Sequence, residues 1–182
     1  MPLILIVGLP GTGKTTFARE LQTFLPADVI YLSTDSIRRN IFQPTTVRAD
    51  PVEYNEGIYS TASKDLIYQI LYFIGELLLG LNHVLIIDGT FYTQEKRKRF
   101  FSICERLNQD IILIETRCSE EIVRARLEKR IRQGESASDA DFRIYLKIKE
   151  QFEPLEHDHI TVNTELDPIP VLEEVKKRLE SL

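Results

Sequence analysis

The sequence predicts an α/β domain in which a parallel sheet carries helices on both faces. Short apolar stretches of strand length alternate along the 182 residues with longer segments of helical periodicity, and repeated strand–helix units build parallel sheets. The first apolar stretch also leads directly into a glycine-rich loop and an amphipathic helix. A chain of this length is typical of one compact domain, so we expect a single domain over residues 1–182.

Five stretches are predicted to be strands. They cover residues 3–7, 29–32, 84–88, 111–116 and 159–162. The first, LILIV, is apolar at every position, as expected for a strand that is buried on both faces of a parallel sheet. The last, HITV, carries the weakest strand signal.

Helices are predicted between these strands, where apolar residues recur every three or four positions. They cover residues 13–25, 36–42, 93–107, 119–132, 139–152 and 168–182, and a long helix begins between residues 51 and 61 and ends at residue 79. Pro26 and Gly80 end the first helix and the long helix, and Asp35 is placed to cap the short one. Residues 43–51 and 133–138 are predicted to be loops.

Composition narrows the classes of function. The formal net charge of −5 argues against broad, sequence-independent binding to nucleic acids. Residues 66–87 are the most apolar region, but polar residues and glycines interrupt them, so we expect a core helix, a turn and a strand rather than a membrane span. Cys104 and Cys118 lack a metal-binding spacing and are expected to be free thiols. We therefore expect a cytoplasmic protein.

The glycine-rich loop is predicted to hold a phosphate. Residues 8–15, GLPGTGKT, fit the pattern G-x-x-x-x-G-K-[ST]. Glycines let backbone amides turn toward phosphate oxygens, and the following helix directs its positive end at the anion. Lys14 is expected to reach the β- and γ-phosphates, and the Thr15 hydroxyl to bind Mg²⁺. The predicted nucleotide-binding residues are Gly8, Gly11, Thr12, Gly13, Lys14, Thr15 and Thr16.

A second candidate element is VLIIDGTF, residues 84–91. Asp88 ends an apolar strand at the sheet edge where ligands of parallel sheets bind, and with Thr15 it is expected to hold Mg²⁺. An acid in this place can also simply begin a turn. Motor-type ATPases usually follow this aspartate with a glutamate that activates water, whereas Gly89 follows it here, which favours phosphoryl transfer over hydrolysis.

The third candidate element, Asp35 and Arg38, follows the second predicted strand. Asp35 is suited to accept the proton of an acceptor hydroxyl during phosphoryl transfer. Arg38 lies one helical turn further on and on the same face, where it can bind an anionic group of the acceptor. The alternative is that Asp35 only caps a helix and Arg38 is only solvated.

The fourth element is the strongly basic helix over residues 119–132. Arg126 and Arg130 lie four positions apart on one face. We expect both to stabilise the migrating phosphoryl group from a small lid over residues 119–140. The alternative is a solvated helix in which these arginines pair with neighbouring glutamates.

Together these motifs resemble the P-loop kinases of the polynucleotide 5′-kinase-like group, which carry an AAA-type ATP-binding domain and to which zeta toxins and gluconate kinases are related. The matching stretches are GLPGTGKTTFA (8–18), STDSIRRNI (33–41), VLIIDGTF (84–91) and RLEKR (126–130). The resemblance implies a three-layer fold with strand order 2-3-1-4-5. It also implies that Asp35 is a general base, that Arg38 contacts a phosphate of the acceptor, and that Arg126, Arg130 or both reach the nucleotide from the lid.

We therefore expect an ATP- and Mg²⁺-dependent kinase that phosphorylates a hydroxyl. The acceptor can be a small metabolite or a nucleic-acid 5′ end, and the net negative charge of the chain favours the small metabolite. A basic stretch, residues 96–99, either lies near the acceptor or is a solvated helix face. The alternative from another class is a regulatory protein that hydrolyses ATP slowly and acts through a partner.

Overall fold

All five predicted strands are present and form one parallel sheet. The computed structural model describes residues 2–25, 28–42, 57–133 and 141–182. The strands are β1 (Leu3–Val7), β2 (Val29–Ser33), β3 (Val84–Asp88), β4 (Ile111–Arg117) and β5 (Ile160–Asn163). They pair in the order β2-β3-β1-β4-β5, and every pairing is parallel. The order that the resemblance implied is therefore confirmed.

The helices follow the predicted positions with shifts of a few residues at their ends. They are α1 (Lys14–Phe24), α2 (Thr34–Phe42), α3 (Thr61–Gly80), α4 (Gln94–Leu107), α5 (Glu120–Gln133), α6 (Phe142–Gln151) and α7 (Ile169–Glu180), with a short 3₁₀ helix at Gly57–Tyr59. The predicted loop over residues 43–51 and most of the one over 133–138 lie outside the described residues, as does the end of the proposed lid.

The start of α2 differs from the prediction. β2 runs directly into this helix at Thr34, so Asp35 lies inside the first helical turn and not at the cap position. A carboxylate in the first turn still interacts favourably with the positive end of the helix. Because α2 begins earlier than predicted, Asp35 stays within two residues of the end of β2 and therefore lies at the edge of the sheet.

Two apolar layers cover the sheet, one on each face. Side chains of β1 alternate between them: Leu3, Leu5 and Val7 face a layer built with α3 and α4, whereas Ile4 and Ile6 face a layer built with α1 and α7. All five β1 side chains are fully buried. The chain is therefore a three-layer α/β structure with β1 at its centre.

The parallel sheet determines where ligands can bind. The C-terminal ends of β1, β2, β3 and β4 meet at one edge of the sheet because the strands are parallel. At this edge α5 and α6 form a smaller cluster in which Val123, Leu127 and Tyr145 pack with Leu9 of the glycine-rich loop. In the described ranges, no helix combines the length and apolarity that a membrane crossing requires.

Candidate active site

The glycine-rich loop is closely packed between β4 and α5. Gly11 and Gly13 have φ angles of 81° and 89°, which favour glycine because other residues meet a steric penalty there. A Cβ atom on Gly8 would lie 2.5 Å from Thr116 Oγ1, and one on Gly11 would lie 2.9 Å from Val123 Cγ1. The loop therefore requires glycine both for its backbone angles and for the space it occupies.

Two side chains hold the loop in its curved form. Thr12 Oγ1 donates to the Leu9 carbonyl at 2.8 Å and lies 2.8 Å from Thr116 Oγ1. Lys14 Nζ donates to the same Leu9 carbonyl at 2.8 Å. α1 begins at Lys14 directly after Gly13, which has no side chain to cap the first amides of the helix. These features place a lysine and a helix N-terminus inside one curved loop, as phosphate binding requires.

Lys14 lies in a strongly desolvated place. Burial lowers the pKa of its ammonium group to about 8, although the charges of Asp88 and Asp35 oppose that effect; Arg130 lowers the pKa further. These four charged groups therefore interact across the C-terminal edge of the sheet, although they come from α1, β3, α2 and α5.

Asp88 and Thr15, which the sequence predicts to bind Mg²⁺, are in direct contact. Thr15 Oγ1 donates to Asp88 Oδ2 at 2.7 Å, and Tyr31 Oη donates to the same oxygen at 3.0 Å. Asp88 is only 1% exposed. A hydroxyl and a carboxylate beside the phosphate loop are hard oxygen donors of the kind Mg²⁺ prefers, so the residues fit this ion. Within the described ranges no group of three or more His, Cys, Asp and Glu side chains is arranged to hold a metal ion.

Tyr31 is a site residue that the sequence analysis missed. It lies on β2 next to β3 in register with Ile86, two residues before Asp88, and its hydroxyl reaches forward to the carboxylate. Burial and Asp88 raise the pKa of this phenol, so it stays a hydrogen-bond donor. Only the alignment of β2 with β3 could have signalled it.

Asp35 and Arg38 form an ion pair beside this centre, in which the Arg38 side chain is buried and the Asp35 side chain is 29% exposed. Arg38 Nη1 donates to Asp35 Oδ1 at 2.6 Å, and the guanidinium lies 4.7 Å from the centre of the Tyr59 ring. Burial raises the pKa of the Asp35 carboxyl; Arg38 and Lys14 oppose this rise, whereas Asp88 adds to it. The structure therefore brings the third candidate element into the same electrostatic centre as Lys14 and Asp88.

The two arginines of α5 have different surroundings. Arg130 interacts with Asp35 and Lys14 through its charge, and burial lowers the pKa of its guanidinium. Arg126 instead donates from Nη1 to Thr164 Oγ1 and from Nη2 to the Thr164 carbonyl, both at 2.9 Å. Thr164 Oγ1 in turn donates to the Thr12 carbonyl at 2.9 Å. Arg126 therefore joins α5 to the segment after β5 and to the phosphate loop.

The basic stretch over residues 96–99 does not form one patch. Arg97 is buried and donates to the carbonyls of Phe91, Glu153 and Pro154. Lys98 pairs with Glu156, and Arg99 lies over the Tyr72 ring. Lys96 is placed between the rings of Tyr68 and Tyr92, at 4.5 and 4.3 Å from their centres. A structural role for Arg97 was not visible in the sequence, where all four residues looked alike.

The sheet order, the glycine-rich loop and the acid at the end of β3 define a P-loop nucleotide-binding protein. A family model described as an AAA domain matches residues 3–155. The chain belongs to this AAA-domain family, and the resemblance to the P-loop kinase group is confirmed. An uncharacterized protein of Mycobacterium tuberculosis is 36% identical over 119 residues, which cover 64% of this chain and 23% of that protein. The chain therefore spans about a quarter of that relative's length.

Other similar proteins are kinases by description. An adenylate kinase of a Sulfurovum strain is 29% identical over 147 residues, covering 75% of this chain and 71% of that protein. Among solved structures, a candidate kinase from Chloroflexus aurantiacus superposes with a TM-score of 0.77 at 23% identity, covering 99% of this chain and 96% of that one. The Mycobacterium tuberculosis APS kinase CysC, solved with AMPPNP and APS, superposes with a TM-score of 0.69 at 16% identity, covering 98% and 97%. The likeness to these two structures shows a shared fold.

Proposed function

We propose that this protein is an ATP-dependent kinase that transfers the γ-phosphoryl group to a hydroxyl, more readily to that of a small molecule than to that of a nucleic-acid end. The observation that carries the proposal is the Asp35–Arg38 ion pair at 2.6 Å. It lies close enough to Lys14 and Asp88 for their charges to shift the pKa of Asp35. A carboxylate beside the phosphate-binding groups is what a transferase needs to accept a proton.

The phosphate loop supplies the nucleotide side of the site. Its amides and Lys14 hold the β- and γ-phosphates, and the neighbouring residues from Gly8 to Thr16 shape the cradle. Thr15 and Asp88, joined at 2.7 Å, would hold Mg²⁺. That ion would neutralise part of the charge on the phosphate oxygens.

Asp35 acts on the acceptor. As the acceptor oxygen forms its bond to the γ-phosphorus, the bond from that phosphorus to the ADP oxygen breaks, and the hydroxyl proton passes to Asp35. The raised pKa of Asp35 makes it a stronger base than an ordinary aspartate. Arg38 fixes the direction of the carboxylate and offers its remaining N–H groups to an anionic part of the acceptor.

The α5 arginines close the site. Arg130, whose charge reaches both Lys14 and Asp35, stabilises the negative charge on the migrating group. Arg126 contributes through its bonds to Thr164, which hold the segment after β5 against the phosphate loop.

Transfer is favoured over hydrolysis by the residue after Asp88. A Cβ atom on Gly89 would lie 2.7 Å from both Phe91 Cε2 and Thr34 Cγ2. Space at this position is therefore too small for the glutamate that motor-type ATPases use to activate water. This supports a kinase more than the alternative of a slow ATPase that acts through a partner.

The test is ADP release from ATP and Mg²⁺ with a panel of hydroxyl compounds and a 5′-hydroxyl oligonucleotide. Asp35→Asn is expected to lower acceptor-dependent release by about 10²- to 10⁴-fold, the usual range for a general base, while AMPPNP affinity stays unchanged. Lys14→Ala is expected to abolish release. Asp28→Asn, at an exposed position ahead of β2, is the matched control. Acceptor-independent release that survives Asp35→Asn would refute the kinase and support the regulatory ATPase.

A further inference from the structure

The long helix α3 is apolar on the side that faces away from the sheet as well as on its core side. Its core side is buried, as the fully buried Ile67 and Leu71 show. On the outer side, the helix and the residue directly after it expose large apolar side chains. Their exposed fractions are 46% for Leu66, 72% for Phe73, 53% for Leu77 and 62% for Leu81. A helix that is apolar on both sides is typical of one that is covered on both sides.

The outer apolar residues lie on one stripe with the spacing of a coiled coil. This apolar stripe consists of Leu66, Ile70, Phe73 and Leu77, separated by steps of four, three and four residues, which is the alternation of a heptad repeat. The steps are the same when they are read in the opposite direction. An antiparallel copy of the helix therefore places Leu66 opposite Leu77, and Ile70 opposite Phe73, so that every side chain of the stripe meets an apolar side chain.

Charged side chains are kept off this stripe. Between Leu66 and Leu81 the sequence contains one charged residue, Glu76. Its carboxylate pairs with the Arg106 guanidinium of α4 at 2.7 Å, so this charge is held on the side of α3 that faces α4. Depletion of charge is the compositional mark of the core of a protein–protein interface.

The exposed apolar area is what one side of a stable interface requires. Leu66, Phe73, Leu77 and Leu81 together expose roughly 450 Å² of apolar surface. An interface of standard size buries about 800 Å² on each partner, of which somewhat more than half, roughly 450–500 Å², is apolar. The outer side of α3 therefore supplies the apolar part of one such interface without a contribution from another helix.

We propose that two copies of this chain associate through α3, with their apolar stripes packed antiparallel about a two-fold axis. A two-fold contact needs a surface that is complementary to itself, and the reversible spacing of the stripe provides one. Antiparallel packing also places the positive end of each helix beside the negative end of the other. The association is independent of the proposed kinase reaction, because the stripe contributes no residue to the candidate active site.

The first experiment is sedimentation velocity of the full chain between about 1 and 200 µM. The wild type is expected to convert from monomer to dimer in this range, with a dissociation constant of about 10 µM. Phe73→Glu and Leu77→Glu each place a charge in the contact twice, once from each copy. Each is expected to raise the dissociation constant at least about 100-fold. Protein below about 1 µM is monomeric, so the stripe does not contribute to unfolding measured there.

Ile169→Glu is the matched control. Ile169 is 50% exposed and begins α7, which packs on the other face of the sheet, so the same new charge is expected to leave the dissociation constant unchanged. Circular dichroism and ADP affinity show that each variant is folded.

A wild type that stays monomeric at about 200 µM would overturn the proposal, and so would stripe variants that dimerise as the control does. Monomeric protein that binds vesicles of phosphatidylglycerol, with binding lost in both stripe variants, would also overturn it and assign the stripe to a lipid surface.

The second experiment tests the direction of packing by disulfide trapping. Leu66→Cys and Leu77→Cys each add one thiol near an end of the stripe, and the native Cys104 and Cys118 are common to all samples. In the antiparallel arrangement, a mixture of the two variants is expected to form the mixed disulfide at least about tenfold faster than either variant forms its own. Mass spectrometry distinguishes these products. Faster formation of the disulfide within either single variant, or a mixed rate no greater than that of Ile169→Cys, would overturn the antiparallel contact.

Discussion

Raising the pH from about 7 to about 9 is expected to weaken nucleotide binding through Lys14. The pKa of this lysine is lowered to about 8, chiefly by burial. The charged form therefore predominates below this pH and is lost as the pH rises through it. Because phosphate oxygens bind the ammonium form, affinity is highest on the acidic side and falls on the basic side.

The size of the effect follows from the lysine alone. One pH unit above its pKa, about one tenth of the Lys14 side chains remain charged, so the dissociation constant of ADP is expected to rise about tenfold between pH 7 and pH 9. ADP itself is largely ionised over this range, since its last phosphate proton is lost near pH 6. Burial raises the pKa of the neighbouring Cys118 thiol above its ordinary value, so its neutral form predominates over this range.

The assay is calorimetric titration of ADP and Mg²⁺ at several pH values, with circular dichroism to show that the fold persists. Lys14→Arg keeps its charge throughout and is expected to remove the dependence. Asp88→Asn removes a charge that raises the pKa of Lys14, so the midpoint should move to lower pH. Arg130→Gln removes a charge that lowers this pKa, so the midpoint should move to higher pH.

These opposite shifts make the reasoning refutable. An ADP affinity that is equal at pH 7 and pH 9 would show that Lys14 is not desolvated as described. A decline that persists in Lys14→Arg would assign the titration to another group. Midpoints that do not move in the other two variants would show that the charges from α1, β3 and α5 do not share one site.

Three further substitutions test the packing around the site. Gly8→Ala places a methyl group 2.5 Å from a hydroxyl oxygen of β4. It is expected to lower the free energy of unfolding in urea by about 1–3 kcal/mol. Gly80→Ala, with nothing within 4 Å of the added carbon, should leave that free energy nearly unchanged. Phe100→Ala removes a fully buried side chain and is expected to lower the free energy of unfolding by about 3–5 kcal/mol. Phe73→Ala, whose side chain is 72% exposed, should change that free energy by less than about 0.5 kcal/mol. Thr164→Val removes the hydroxyl between α5 and the phosphate loop and should weaken ADP binding about three- to tenfold by calorimetry. Substitutions indistinguishable from their controls, or an unchanged ADP affinity for Thr164→Val, would contradict the packing described.

Local sequence patterns were sufficient to predict most of the architecture. Strand and helix periods depend on residues a few positions apart, so the apolar pattern located all five strands and the helices to within a few residues. The phosphate loop is also local, because its glycines, Lys14 and Thr15 act within eight consecutive positions. The start of α2 was harder to predict. A residue such as Asp35, two positions after a strand, can cap a helix or lie in its first turn, and the packing of the strand end decides between them.

The sequence by itself determined the fold class, the phosphate loop and the acids at the ends of β2 and β3, because these depend on short-range periodicity and spacing. Only the tertiary structure separated Arg130, which faces the charged centre, from Arg126, which holds Thr164. It also distinguished Lys96 from the structural Arg97 and brought Tyr31 to Asp88. Such roles depend on which distant segments meet at one sheet edge, and a side chain's burial and partners there are set by neighbours far away in the chain.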